Sequence, residues 1–182
     1  VFTASTHDNL LFFTDTGKVY RKKGYQVPES GKTARGSNIV NLIQVEPGER
    51  VQTMLHYRPG TEETLFLTMV TRNGTVKRLP VETLKNLKNI GIRALTLEEG
   101  DALIAVKETD GSQNILIATH DGQAICFAED EVRPTGRTSM GVRGIRLKDG
   151  DYVVGAGRAR EGFEVLSITE RGYGKRTPVE EY

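Results

Sequence analysis

The chain has 182 residues, 37% of them hydrophobic and 27% charged, with a formal net charge of +1. That apolar content can fill a core, no apolar run approaches the length of a membrane span, and the single cysteine, Cys126, excludes an intrachain disulfide and points to a reducing compartment. A near-neutral total does not exclude a nucleic-acid partner here, because the two signs are segregated along the chain.

Residues 1–6 read as the closing strand of a preceding unit. Val1 stands in mid-pattern, with no initiator methionine or signal peptide before it, which suggests a piece of a longer protein. His7-Asp8-Asn9 turn the chain into the first complete unit. Leu10 to Thr14 form a buried strand, Asp15-Thr16-Gly17 a hairpin turn, and Lys18 to Tyr25 the returning strand. Pro28 and Gly31 mark a loop over residues 29–36. Ile39 to Val45 read as a third strand, an acidic turn follows at Gly48, and Arg50 to Leu55 close the unit.

The same order recurs. Units span residues 9–63, 64–113 and 114–163, and a fourth hairpin opens at 164–182. Asn73-Gly74 and Asp121-Gly122 read as type I′ turns, which need positive φ at both central residues. The third strands are expected at Arg93 to Leu97 and Val142 to Leu147, and the closing strands at Ala102 to Val106 and Tyr152 to Ala156. Val81 to Leu87 leave room for one helical turn. The turn glycines Gly17, Gly74, Gly122 and Gly172 recur at roughly fifty residues, as do Gly48, Gly100 and Gly150 of the acidic turns. Short strands at this period define an all-β, propeller-like array of four-stranded units, about three complete and partial ones at both ends. Units this small cannot bury a core alone, so they must stack.

The charges follow the repeat. Acids gather at the second turn: Glu46 and Glu49, then Glu98, Glu99 and Asp101, then Asp149 and Asp151. Bases gather after the first turn and in the middle segment. Unit one has Lys18, Arg21, Lys22, Lys23, Lys32 and Arg35; unit two has Lys77, Arg78, Lys85, Lys88 and Arg93. Unit three has Arg133, Arg137, Arg143 and Arg146, and the fourth copy Arg171, Lys175 and Arg176. Equivalent positions in a circular array fall on equivalent edges, so one basic rim and one acidic edge are expected, and a rim of regular positive steps suits duplex DNA. The plainer reading is a set of solvated charges that discourage edge-to-edge association. Gly36, Gly91 and Gly141 share one place in the middle segments, either to admit phosphates near backbone N–H groups or to bend the chain into the third strand. Aromatics make up only 7% and tryptophan is absent, which argues against single-strand binding by base stacking.

Catalytic groupings are poor. Thr6-His7-Asp8 and Thr119-His120-Asp121 lie on turns, where adjacent residues seldom converge on one substrate, and His56 stands alone. Cys126, in an apolar strand, reads as an inert thiol. No zinc spacing, P-loop, dinucleotide fingerprint or calcium loop is present in the sequence. No catalytic, cofactor or metal residue is assigned, and the chain reads as a binding module.

The stretches THDNLLFFTDTGKVYRKKGYQVPE, ARGSNIVNLI, GRTSMGVRGIRLKDGD and ERGYGKRTPVEEY resemble the C-terminal domain of the bacterial DNA gyrase A protein over essentially the whole chain. The resemblance implies a β-pinwheel, a six-bladed disc whose blades exchange strands and whose positive perimeter wraps duplex DNA, so that the parent type II topoisomerase introduces negative supercoils. It implies DNA contacts at Lys18, Arg21, Lys22, Lys23, Lys32, Arg35, Lys77, Arg78, Arg93, Arg137, Arg143, Arg146, Lys175 and Arg176. It further implies a bacterial cytoplasmic, nucleoid-associated protein that meets the gyrase B protein and a second gyrase A protein through other parts of the chain. ATP and Mg belong to those other parts, as does the tyrosine of DNA cleavage, so Tyr182 inherits no such role. The family's basic, glycine-rich box is not in this chain. The equivalent C-terminal domain of topoisomerase IV is the near alternative, and a propeller-type protein-interaction scaffold the alternative of another class.

Overall fold

A computed structural model describes residues 2–87 and 90–182. The described residues contain strands and short 3-10 turns and no α-helix. The first unit supplies β1 (Asn9–Thr14), β2 (Lys18–Lys23) and β3 (Val51–Tyr57). The second supplies β4 (Phe66–Thr71), β5 (Thr75–Pro80), β6 (Ile92–Arg93) and β7 (Leu103–Thr109). The third supplies β8 (Asn114–Thr119), β9 (Ala124–Ala128), β10 (Val142–Arg143) and β11 (Val153–Ala159). A last hairpin pairs β12 (Glu164–Ile168) with β13 (Gly174–Pro178).

Strand order shows how the units interlock. The sheets run β3-β1-β2-β6, β10-β5-β4-β7, β11-β8-β9 and β12-β13. A four-stranded sheet is thus three strands of one unit plus a two-residue strand given by the next. β6 crosses back to β2, with Arg93 opposite Lys18, and β10 crosses back to β5, with Arg143 opposite Thr75. The closing strands β3, β7 and β11 lie against one another in succession, and Gln52 Nε2 donates to Ile104 O across that seam. Each four-stranded sheet therefore runs from a closing strand at one edge to an exchanged strand at the other.

Two of the three buried clusters sit between blades, and the third lies within the first unit. In β1, Leu11 and Phe13 join a cluster with Leu67, Met69 and Leu79 of the second blade, while Leu10 and Phe12 face the opposite way toward Tyr20 and Ile43. Both faces of β1 are covered, which is why its sequence is a continuous apolar run and not an alternation. A second cluster joins Val70 and Val76 to Ile115, Ile117 and Ile145. Leu95 and Ile145, from the exchanged segments, are buried in these two clusters.

Several expectations need correction. The hairpins are not type I′: every positive-φ residue is a glycine, so Asn73 and Asp121 keep negative φ. Instead Gly17, Gly74, Gly122 and Gly172 have φ of 81–85° and donate their N–H to Thr14, Thr71, Thr119 and Thr169, a three-residue loop ending in a left-handed glycine. The threonine hydroxyl accepts the N–H four residues on in each copy, at 3.1–3.3 Å. The third strands are shorter than expected. After Arg93 and Arg143 the chain leaves the ladder, because the amides of Ala94 and Leu95 both turn to Gly17 O, and those of Gly144 and Ile145 to Gly74 O. Ile39 to Val45 is not a strand at all but begins with a 3-10 turn, Ile39–Asn41, capped by Asn38; no hairpin among the described residues lies beside it to complete a ladder. Residues 2–6, read as a closing strand, form no strand. The helical turn expected near Val81 is a 3-10 turn, Val81–Leu84.

Candidate nucleic-acid interface

The outer edge is made by the crossing segments. Gly91-Ile92-Arg93 and Gly141-Val142-Arg143 align, and each lies flat on the neighbouring unit's second strand. Flatness explains the glycines. A Cβ on Gly91 would sit 2.4 Å from the Tyr20 ring, and one on Gly141 would sit 2.5 Å from Val76 O. Close packing, and not an opening for phosphate, accounts for both; Gly36 has open space instead. The geometry leaves Arg93 and Arg143 exposed on the outermost strands, with Arg137 and Arg146 exposed on either side of β10.

The sequence-predicted basic residues divide into three groups. Lys32, Arg35, Arg93, Arg137, Arg143, Arg146, Lys175 and Arg176 are exposed, although Arg176 Nε stands 3.2 Å from Glu164. Lys18, Arg21, Lys22 and Lys23 are half-buried. Of these, Lys18 pairs with Glu46, and the Arg21 guanidinium donates to the carbonyls of Lys85 and Leu87. Lys77 and Arg78 are buried and do not reach the rim. Lys77 Nζ donates to three backbone carbonyls. Arg78 Nε donates to Val132 O at 2.9 Å, its Nη1 lies 3.4 Å from Glu129, and its guanidinium covers the Phe66 ring at 4.6 Å. Lys77 serves carbonyls of its own and the following unit and Arg78 one of the following unit, so neither is free for phosphate. Lys88 lies outside the described residues.

The expected acidic edge is not opposite the basic one. The amides of Asp15, Arg72 and His120 donate to the carbonyls of Arg50, Ala102 and Tyr152, which brings each acidic turn against its own hairpin turn. The acids then act as braces. Asp101 Oδ1 accepts from the amides of Asn73 and Ala102, and Asp151 Oδ1 from those of Asp121 and Tyr152. In unit one Glu49 takes the role, accepting from the hydroxyls of Thr14, Thr16 and Tyr20 and the amide of Glu46. Burial works against the Glu49 carboxylate, yet these donors hold it below its ordinary range. Burial and the bond to Glu49 push the Tyr20 phenol up to about 12. A cleft of about 740 Å³ has Arg143 and Arg146 on the same walls as Glu98 and Asp101.

The partner of His56 escapes sequence reading because it is distant, whereas the adjacent His120 and Asp121, expected not to converge, do pair. His56, solitary in the sequence, has Nδ1 3.1 Å from Asp8 and stacks on Phe2. His120 bonds Asp121 at 3.0 Å and stacks on Tyr152, over which Arg72 lies at 3.9 Å. Ligand atoms of His120, Asp121 and Asp151 lie within 4.8 Å of one another, but one Asp151 oxygen is already engaged by two amides. Burial pushes the Cys126 thiol up, consistent with an unreactive cysteine. No helix among the described residues is long and apolar enough to cross a membrane.

Strand-exchanged blades, with exposed arginines on the exchanged strands, define a propeller-type domain. Residues 8–56, 66–110, 113–160 and 164–182 match the family described as DNA gyrase C-terminal domain, beta-propeller. The chain belongs to this family. It is 44% identical over 182 residues to the DNA gyrase A protein of Staphylococcus aureus strain MRSA252, covering 99% of this chain and 20% of that protein. The chain thus spans about a fifth of the length of the curated relatives it matches. Among solved structures, the C-terminal domain of DNA topoisomerase IV superposes with a TM-score of 0.89 at 29% identity, over 97% of this chain and 55% of that one. The DNA gyrase A C-terminal domain superposes with a TM-score of 0.80 at 26% identity, over 97% and 56%.

Proposed function

We propose that the chain is a DNA-binding and DNA-wrapping segment of a gyrase A-type protein, holding bent duplex against its outer edge so that the parent type II topoisomerase can introduce negative supercoils. The observation that carries this reading is the placement of Arg93 and Arg143 on the outermost, exchanged strands, with Arg137 and Arg146 beside them. Arginines at equivalent steps meet successive phosphates without reading bases, and a curved edge favours bent duplex. The chain itself carries no step of catalysis; ATP, Mg, the gyrase B protein and a second gyrase A protein engage other parts of the molecule, in the bacterial cytoplasm.

Two other readings have specific support. The TM-score of 0.89 favours a topoisomerase IV-type domain, whereas 44% identity to a gyrase A protein favours gyrase. Exposed apolar groups on the last hairpin favour a protein contact there, without competing for the arginine edge.

Titration of fluorescent duplex at increasing salt tests the proposal. With about four phosphates neutralised, log affinity falls with log salt at a slope of about −4. Reversing Arg93 and Arg143 to Glu flattens that slope and weakens binding by at least about tenfold, while Glu98→Lys with Asp149→Lys does not weaken it. Equal loss from both pairs of reversals, or salt-independent affinity, excludes the edge.

A further inference from the structure

Lys77 is a buried cation that the binding edge does not use. It is 1% exposed, and its Nζ donates to Ala94 O at 2.7 Å, Arg137 O at 2.9 Å and Ser139 O at 3.1 Å. An ammonium has three N–H groups and no acceptor, so its capacity is filled. The carbonyls come from two crossing segments. Ala94 follows β6 on the first sheet, and Arg137 and Ser139 precede β10 on the second. Thr96 grips the same stretch, its amide donating to Ser139 O at 3.1 Å and its hydroxyl to Thr138 O at 2.8 Å. Three successive carbonyls, 137 to 139, are thereby pinned from the blade side, while the Arg137 side chain stays exposed.

Packing alone does not call for a cation here. Tyr20 and Ile125 occupy the same offset from their turn glycines, so an uncharged side chain serves the first and third units. Burying an ammonium is costly unless its donors are needed. Burial, and then the Arg137 charge, pull Lys77 down to about 8, so it still carries its proton at neutral pH.

We propose that Lys77 is a positioning residue of the outer edge: its ammonium fixes the stretch Arg137–Ser139 and so holds Arg137 and Arg143 in line to meet duplex phosphates. The role in binding rests on the DNA reading above, whereas the clip itself does not. The same Lys-Arg pair recurs at Lys175-Arg176, at the same offset from Gly172, where Lys175 is exposed.

The test uses Lys77→Met, Lys77→Arg and the double variant Arg137→Ala with Arg143→Ala in the whole chain. Hydrogen exchange reports the clip without DNA. In Lys77→Met the amide of Thr96, bonded to Ser139 O, exchanges at least about tenfold faster, while the amide of Leu116 in β8 does not change. Duplex affinity falls about tenfold, and Lys77→Met adds no further loss in the double-variant background, as expected of groups acting through one another. Lys77→Arg, which keeps charge and donors, retains the Thr96 protection, and it decides the matter should the Met variant not fold. Unchanged exchange at Thr96 in Lys77→Met, or free exchange in a folded Lys77→Arg, overturns the clip. Additive losses on the double variant overturn action through the arginines. A double variant with unimpaired affinity, beside intact clip behaviour, sinks the DNA reading alone.

Discussion

The first two hairpins and the last two share one turn and differ in what covers them. Gly17, Gly74, Gly122 and Gly172 have nearly the same φ, and the same threonine-to-amide bonds surround them. Yet a Cβ on Gly17 or Gly74 would lie 2.9 Å from Leu95 or Ile145, whereas nothing lies within 4 Å of Gly122 or Gly172. β1 and β4 are buried, while Leu166 and Ile168 of β12 are 61% and 67% exposed. Hairpin geometry is therefore local, and the cover over the turn glycine is supplied by the next unit's crossing segment. The crossing segments that supply this cover also carry the exposed Arg93 and Arg143.

The largest expected effect separates covered from uncovered side chains. Leu95→Ala or Ile145→Ala leaves a cavity where two blades and a crossing segment meet, and costs about 3 kcal/mol in denaturant unfolding. Leu166→Ala costs under about 0.5 kcal/mol. Similar losses at Leu95 and Leu166 would break the contrast. The glycine series sharpens it. Gly74→Ala has both a left-handed backbone and a collision with Ile145, and costs at least about 2 kcal/mol; Gly172→Ala has the backbone strain only, about 1 kcal/mol.

The smallest effect concerns acid. Glu49, in the covered first blade, and Glu180, beside the last hairpin, are both held below their ordinary pKa. A carboxyl lowered by folding stabilises the fold above its unfolded pKa of 4.5, and that contribution disappears as pH falls through the folded value. Glu49 is buried and braces four donors, while Glu180 is exposed and receives the amide of Gly162. Acid titration of stability below pH 4.5 is thus blunted by Glu49→Gln and hardly altered by Glu180→Gln.

Much of this is legible in the sequence because it is short-range. The turn glycines, the strand that follows each of them, and the spacing of the acidic turns depend on residues within one unit. The length of the third strands is not legible, since where they leave the ladder is decided by Gly17 and Gly74 of the preceding unit. Nor does charge type reveal placement: Lys18 and Lys77 each follow a turn glycine, yet one pairs with Glu46 and the other is sealed among carbonyls. A signal exists. Aligned on the turn glycines, Lys77 falls where Tyr20 and Ile125 stand, and Tyr20 is a core residue. Likewise Glu49 reads as one charge of an acidic turn, although its register with Asp101 and Asp151 marks it as a brace.

The two-residue donated strands also set a timetable for synthesis. Val19 pairs with Ile92, 73 residues later, and Val76 pairs with Val142, 66 residues later. At about 5–20 residues per second, an emerging hairpin waits several seconds on the ribosome for the segment that covers it. During that interval its outer edge is an open template for any strand nearby. A donated strand of only two residues keeps that template weak, and the burial of Leu95 or Ile145 just beyond it rewards the correct arrival over a chance one.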